Sequence, residues 1–129
     1  MGAWGTRSFE NDTAGDWFVG LREKGHGLIE QTLREVVDRT DDYSDPEMEA
    51  EAVAAAEIVA TMAGRPDPET EEKVVALATS FGSPSPVLIE LSQRAVEMIS
   101  AEESELRELW EDDPEWLGRM GDLKMRLEG

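Results

Sequence analysis

Carboxylates are the main reactive side chains of this 129-residue chain, which has thirty Asp and Glu, one His and no Cys. Side chains three positions apart share one face of a helix. Among the acidic pairs with this spacing are Glu35 with Asp38 and Glu69 with Glu72. Each pair could offer oxygen ligands to a divalent cation, as paired acids do in magnesium-dependent all-α nucleotide pyrophosphatases. Here, however, the Glu-x-x-Asp pair comes before the Glu-x-x-Glu pair along the chain. In a chain with this many acidic residues, such spacings also arise by chance.

Other catalytic arrangements lack the necessary side chains. One histidine without any cysteine leaves no Ser-His pair, Cys-His pair or two-His zinc site. That residue, His26, lies between two glycines in a predicted turn, and no Lys-Ser or Lys-Thr follows to complete a phosphate-binding loop. The sequence therefore favours a protein that is not an enzyme, and we expect no catalytic residue, no bound metal and no cofactor.

A further polar cluster lies beside aromatic residues near the N-terminus. This candidate motif consists of Trp4, Phe9, Glu10, Asn11, Asp12, Asp16 and Trp17. Asn11 or Asp12 is a predicted N-cap, and carboxylates at the start of a helix gain from its dipole. One interpretation is therefore that these polar residues cap and stabilise the start of the first helix. The other is a recognition or metal-binding corner, formed where the N-terminal segment folds over the protein, although no nucleophile or second base accompanies it.

Helices must position these groups, because apolar residues recur at helical rather than strand spacing. The predicted helices cover residues 12–24, 27–40, 46–63, 68–81, 86–99, 101–111 and 114–127. We expect a single all-α domain over residues 1–129, a bundle of about six helices. Residues 1–10, rich in Gly and aromatic side chains, are predicted to form an extended or turn segment that packs against this bundle.

All six prolines fall at predicted junctions between helices. Four dipeptides place a capping residue before a proline: Asp45-Pro46, Asp67-Pro68, Ser85-Pro86 and Asp113-Pro114. Each is typical of an N-cap followed by the first helical position. Ser100 and Glu103 form a capping-box pattern that predicts another start. The alanine-rich residues 51–56 allow close approach of neighbouring helices, so the third helix is expected at the centre of the bundle.

The net charge of −18 is concentrated in two segments. Residues 41–72 contain eleven acidic residues and one basic residue, and residues 101–116 contain eight acidic residues and one basic residue. A field of this sign repels the phosphates of nucleic acids and anionic lipid headgroups, so we expect no direct nucleic-acid binding and no membrane association. Two interpretations remain, namely a solvated acidic face and a docking surface for a basic protein.

No apolar run approaches the length of a membrane span, and the N-terminus does not pair a basic region with an apolar stretch. The sequence therefore predicts a soluble cytoplasmic protein. It does not indicate an oligomeric state.

Several segments carry a family resemblance. They are residues 1–5, 8–12, 14, 16–17, 54–57, 64–66 and 104–110. Together they resemble a family of short bacterial proteins known only as domain of unknown function 4259. Arg7 departs from the glycine expected there, and Gly15 is a second departure, which costs about 1 kcal/mol of helix stability. The resemblance implies no particular activity.

The leading hypothesis is a non-enzymatic interaction or regulatory protein, of the immunity, antitoxin or nucleic-acid-mimic kind, which binds a basic partner. The alternative is a metal-dependent hydrolase of the nucleotide pyrophosphatase type. Its candidate ligands are Glu35, Asp38, Glu69 and Glu72.

Overall fold

A computed structural model of the chain describes residues 5–39 and 45–128. Within these ranges the secondary structure consists of seven helices and no strand. They are α1 (Asp12–Lys24), α2 (Gly27–Val37), α3 (Pro46–Met62), α4 (Glu72–Ser80), α5 (Pro86–Ile99), α6 (Glu105–Leu109) and α7 (Pro114–Glu128). The predicted all-α fold is confirmed. Trp4 and the two adjacent acids Asp41 and Asp42 lie outside the described ranges.

Local capping explains most of the helix starts. Asn11 accepts a hydrogen bond from the backbone N–H of Ala14 at 2.8 Å and is the N-cap of α1. Asp45, Ser85 and Asp113 likewise accept from backbone N–H groups two or three residues further on. These side chains satisfy N–H groups that the first turn of a helix leaves without a partner. The predicted starts of α1, α3, α5 and α7 are therefore confirmed.

The predicted helix 68–81 begins too early, because α4 starts at Glu72. The carboxylate of Asp67 accepts from the N–H of Glu69 at 2.8 Å, and the N–H of Thr70 bonds to the carbonyl of Asp67 at 3.0 Å. These bonds close a separate turn. Glu71 then has an extended backbone, which interrupts any continuous helix.

The predicted helix 101–111 is also too long, because α6 covers only Glu105–Leu109. The capping box at Ser100 and Glu103 is wrong. The hydroxyl of Ser100 donates to the carbonyl of Val96 at 2.7 Å, at the end of α5. The N-cap of α6 is Ser104, which accepts from the N–H of Arg107 at 3.2 Å.

The predicted helix 27–40 extends past the true end of α2, which stops at Val37 with Asp38 as its C-cap.

The third helix lies at the centre of the bundle, where α3 packs against each of the other six helices. Its alanines at positions 52, 54, 55, 56 and 60 have no solvent exposure. Because an alanine side chain is a single methyl group, neighbouring helices can approach the α3 backbone closely. The expected central position of this helix is confirmed.

Two acidic residues of α3 are also inside the protein. Glu49 is 0% exposed and Glu57 is 2% exposed, and Asp67 in the following loop is 7% exposed. The sequence interpretation counted all three with a solvated acidic face or docking surface, and for these residues it is wrong. Buried charges are retained only with close partners, so the partners of these carboxylates are central to the site.

Across residues 5–39 and 45–128, the helices are too short or too polar to cross a bilayer.

Candidate functional site

Residues 5–10 form a segment that crosses the bundle, here called the strap. The hydroxyl of Thr6 donates a hydrogen bond to the carboxylate of Glu115 in α7. The next residue, Arg7, donates from Nε to Asp67 Oδ1 at 3.1 Å, in the loop after α3. Ser8 then donates from its hydroxyl to Glu57 Oε1 at 2.9 Å, in α3 itself. Three successive residues therefore attach the strap to three separate parts of the fold.

The Glu10 side chain packs closely against Gly5, where the strap begins. A Cβ atom on Gly5 would clash with Oε1 of Glu10. The same oxygen accepts a hydrogen bond from the backbone N–H of Arg7 at 3.0 Å, and the N–H of Glu10 bonds back to the carbonyl of Arg7 at 3.0 Å. Glu10 therefore closes the turn of the strap, which is a structural role for this residue of the candidate motif.

The strap, α3 and the loop before α4 enclose a cleft of about 130 Å³. Its lining consists of Arg7, Ser8, Phe9, Glu10, Glu57, Asp67, Glu69, Thr70 and Glu71. Phe9 also packs edge-on against Phe18 of α1, with ring centroids 5.9 Å apart. The cleft therefore brings two residues of the predicted N-terminal motif, Phe9 and Glu10, next to two buried acids that the motif did not include.

Glu57 and Arg126 form the ion pair beneath the strap. The guanidinium of Arg126 donates to both oxygens of Glu57, with Nη2 lying 3.0 Å from Oε1. Its Nε donates to Asp122 at 2.8 Å, and its Nη1 also donates to the carbonyl of Arg65 at 3.0 Å. Burial alone would lower the pKa of Arg126, but the hydrogen bonds and charges of Glu57 and Asp122 outweigh burial and raise it.

The contacts of Glu57 connect the strap to the ion pair. Oε1 of Glu57 accepts from Arg126 as well as from Ser8, and Oε2 accepts from Arg126. The serine hydroxyl therefore ties the strap to the same carboxylate that pairs with the guanidinium.

Two of the remaining motif residues have structural positions. Asn11 caps α1, and the buried Trp17 donates from Nε1 to the hydroxyl of Thr32 at 2.8 Å. Asp12 and Asp16 are exposed on α1. A single site built from all these residues stays a prediction.

The candidate metal ligands occupy separate, exposed positions. Glu35 lies in α2, and Asp38 follows its end. Glu69 precedes α4 and Glu72 begins it, so this second pair does not share a helix as its spacing predicted. Among the described residues, no group of three or more His, Cys, Asp or Glu side chains is arranged to hold a metal ion. His26 is exposed before α2, with its ring centroid 5.7 Å from that of Phe81.

A different arrangement of acids surrounds α6. Glu105, Glu108 and Glu111 are exposed, and with Leu109 and Pro46 they border a surface groove of about 370 Å³. We call Glu105, Glu108, Leu109 and Glu111 the α6 acidic surface. Its apolar member, Leu109, is 56% exposed, and among the described residues Val19, Val87 and Met125 are exposed as well.

Arg107, the basic residue of segment 101–116, pairs with Asp112 beside α6. Its Nε donates to Asp112 Oδ1 at 2.7 Å, and its Nη1 donates to the carbonyl of Ser100 at 2.6 Å. The side chain of Asp112 is 70% exposed, so this ion pair lies at the surface.

Glu51 gives a testable pH dependence. Partial burial raises the pKa of Glu51, and the nearby charges of Glu35 and Glu47 raise it further. A raised carboxyl pKa means that the folded state binds the proton more tightly than the unfolded chain, so the ionised group destabilises the fold at pH 7. We expect Glu51→Gln to raise the melting temperature by a few degrees at pH 7.

This gain should shrink as the pH falls toward the ordinary glutamate value of about 4.3, where Glu51 is itself protonated. Thermal denaturation between pH 4 and pH 7 measures the effect. Glu90→Gln, at an exposed position of α5, controls for the general loss of one negative charge. An equal gain from both variants at pH 7 would contradict this assignment.

The fold and site describe an all-α bundle with a polar strap over a buried ion pair and an acidic exterior. The chain belongs to the family described as Domain of unknown function (DUF4259), whose family model matches residues 2–119. The resemblance found in the sequence is confirmed. No curated protein and no solved structure matches the chain.

Sequence reasoning missed the buried pair, although a signal for it exists. Glu57 follows three alanines and precedes Ile58 and Val59, so this part of α3 has no polar face. A helix that is apolar all round is buried, and an acid within it must then be buried with a partner. The partner itself, Arg126, is 69 residues away, and no local pattern identifies it.

Proposed function

We propose that this protein is a soluble, cytoplasmic interaction or regulatory module without enzymatic activity, and that its acidic exterior binds a basic protein. The proposal continues the leading sequence hypothesis. It is supported by the distribution of charge between the inside and the outside of the bundle, which composition alone does not reveal.

One observation carries the proposal. Among the described residues, the three buried acids are paired with arginines that are themselves at least partly buried: Glu49 with Arg39, Glu57 with Arg126, and Asp67 with Arg7. Each pair is neutral. The net charge of −18 is therefore left to the remaining side chains, which include the exposed carboxylates around α6.

An excess of this size has a kinetic consequence. A strongly negative surface accelerates encounter with a positive partner and disfavours other acidic molecules, and mobile salt screens both effects. The screening distance is about 30 Å at 0.01 M salt and about 8 Å at 0.15 M. Association with the partner should therefore slow by about ten-fold or more over this range of ionic strength.

Affinity capture at low salt, followed by kinetics with each purified captured protein, tests the proposal. We expect a specific partner with a pI above about 9 whose association rate falls steeply with salt, while its dissociation rate changes less. Captured proteins with no excess of basic residues, or association rates indifferent to salt, would contradict the proposal.

A metal panel separates this function from the alternative hydrolase. Magnesium, manganese and calcium ions are each added at millimolar concentration while the melting temperature is recorded, and turnover of nucleoside triphosphates is assayed in parallel. We expect neither stabilisation nor turnover. Stabilisation by one ion together with turnover would replace the proposed interaction module with a metal-dependent hydrolase.

A further inference from the structure

We infer that the strap, residues 5–10, is a lid that opens from the bundle as a separate unit while the helices stay folded. The inference goes beyond the proposed function and does not rest on a basic partner. It follows from the contacts that hold the strap, from the spaces beneath it, and from the ion pair that it covers.

The strap is held to the bundle by polar side chains. Each of its residues is only partly buried, and Phe9 is its one large apolar side chain. Apart from a contact with the adjacent Asn11, the hydrogen bonds between the strap and other described residues run between side chains. They join Thr6 to Glu115 and Arg119, Arg7 to Asp67, and Ser8 to Glu57. A segment with few buried apolar contacts opens locally at a lower free energy than the core of the protein.

Two spaces lie beneath the strap. One is the cleft of about 130 Å³ described above. The other, of about 20 Å³, lies between the strap and helices α3, α6 and α7, and Val53 of α3 lines it. Atoms that border an empty space lack partners on one side, so lifting the strap breaks fewer van der Waals contacts than separating two packed helices.

The buried acids beneath the strap keep other partners when it leaves. Glu57 retains its hydrogen bonds from Arg126 after the bond from Ser8 is broken. Asp67 retains the bond from the N–H of Glu69. Opening therefore does not leave Glu57 as an isolated buried charge, which would hold the strap closed.

A single introduced thiol can report the opening, because the chain contains no cysteine. Val53→Cys places the thiol beneath the strap, at a position that is 7% exposed. Val59→Cys places it in the same helix, at a position without solvent exposure that lines neither space. Each full-length variant is treated with a thiol-reactive reagent at about pH 8, where part of the thiol is ionised, and labelling is followed by mass spectrometry. We expect Val53→Cys to react at least about 100-fold faster than Val59→Cys, whose thiol becomes accessible only when helices separate.

Two further substitutions loosen the strap. Ser8→Ala removes the hydrogen bond to Glu57. Asp67→Asn removes the ion pair with Arg7 but retains a side-chain oxygen that can accept from the N–H of Glu69. Circular dichroism checks that the variants fold.

Each of these substitutions is combined with the two thiol variants. Labelling of Val53→Cys should become about ten-fold faster, because a contact of the closed strap is lost, and labelling of Val59→Cys should not change. Glu30→Gln is the matched control. It removes an exposed ion pair on α2 and should change neither labelling rate.

Hydrogen exchange of the wild-type protein gives a second measurement, which needs no introduced thiol. The N–H of Glu10 bonds to the carbonyl of Arg7 inside the strap, whereas Ile58 lies in the middle of α3. We expect the amide of Glu10 to be protected from exchange, but at least about 100-fold less than the amide of Ile58. Ser8→Ala should lower the protection of Glu10 alone.

Three results would overturn the inference. Equal labelling of the two thiols, or equal acceleration of both by Ser8→Ala, would mean that the strap detaches only when the whole protein unfolds. Labelling of Val53→Cys as fast as that of a thiol in an unfolded peptide would mean that the strap is not closed. None of these measurements involves a cationic partner, so their failure and the failure of the proposed function are distinguishable.

Discussion

Replacing Glu57 by alanine is expected to lower the free energy of unfolding by about 3 to 5 kcal/mol. Glu57 is 2% exposed, and its carboxylate accepts two hydrogen bonds from Arg126 and one from Ser8. Its loss would leave a guanidinium largely buried without its main counter-charge, and the strap without its bond to α3. Urea denaturation followed by circular dichroism measures the loss.

Two further variants test whether the unpaired charge causes this effect. Arg34→Ala removes an ion pair with Glu30 on the solvent-exposed side of α2, and exposed pairs contribute about 0 to 1 kcal/mol. The double variant Glu57→Leu/Arg126→Leu removes both buried charges and should recover much of the stability lost in Glu57→Ala. A loss below about 1 kcal/mol for Glu57→Ala would show that the buried pair does not stabilise the fold.

Enlarging a central alanine should produce the second large effect. Ala56→Leu is expected to destabilise the protein by about 1 to 3 kcal/mol, because α3 packs against each of the other described helices and Ala56 has no solvent exposure. Three additional carbon atoms can then be accommodated only by moving neighbouring helices. Thermal and urea denaturation give the change in stability.

The control for this substitution is Ala76→Leu in α4. Ala76 is exposed, so a leucine there meets solvent and should change stability by no more than about 0.5 kcal/mol. Leucine and alanine have similar helix propensities, so the comparison isolates packing from backbone preference. Equal effects at the two positions would mean that the centre of the bundle has room for larger side chains.

Local interactions account for the parts of this fold that could be predicted. Asn11, Asp45, Ser85 and Asp113 cap helices by bonding to backbone N–H groups two or three residues away. Such contacts lie within a few residues of sequence, so residue types and spacing are sufficient to identify them. The apolar spacing between these caps then defines seven helical segments and an all-α fold.

Contacts between distant residues account for the errors. Asp67 has the sequence of an N-cap, but its carboxylate also pairs with Arg7 of the strap, sixty positions earlier, and α4 starts five residues later. The hydroxyl of Ser100 bonds back into α5, so Ser104 caps α6 in its place. Helix α6 is therefore capped by the second of two serines, whereas α4 begins after Glu71 without a side-chain cap.

The buried acids and the α6 acidic surface show the same difference between what the local sequence predicts and what tertiary contacts decide. The sequence alone establishes a net charge of −18 and an excess of acidic residues between positions 101 and 116. It could not separate Glu57, which is buried against Arg126, from Glu108, which faces solvent. Burial depends on which helices pack together, and that is decided by contacts summed over the whole bundle. The chemistry of each carboxylate therefore follows from its tertiary position, whereas its presence and its helix follow from the sequence.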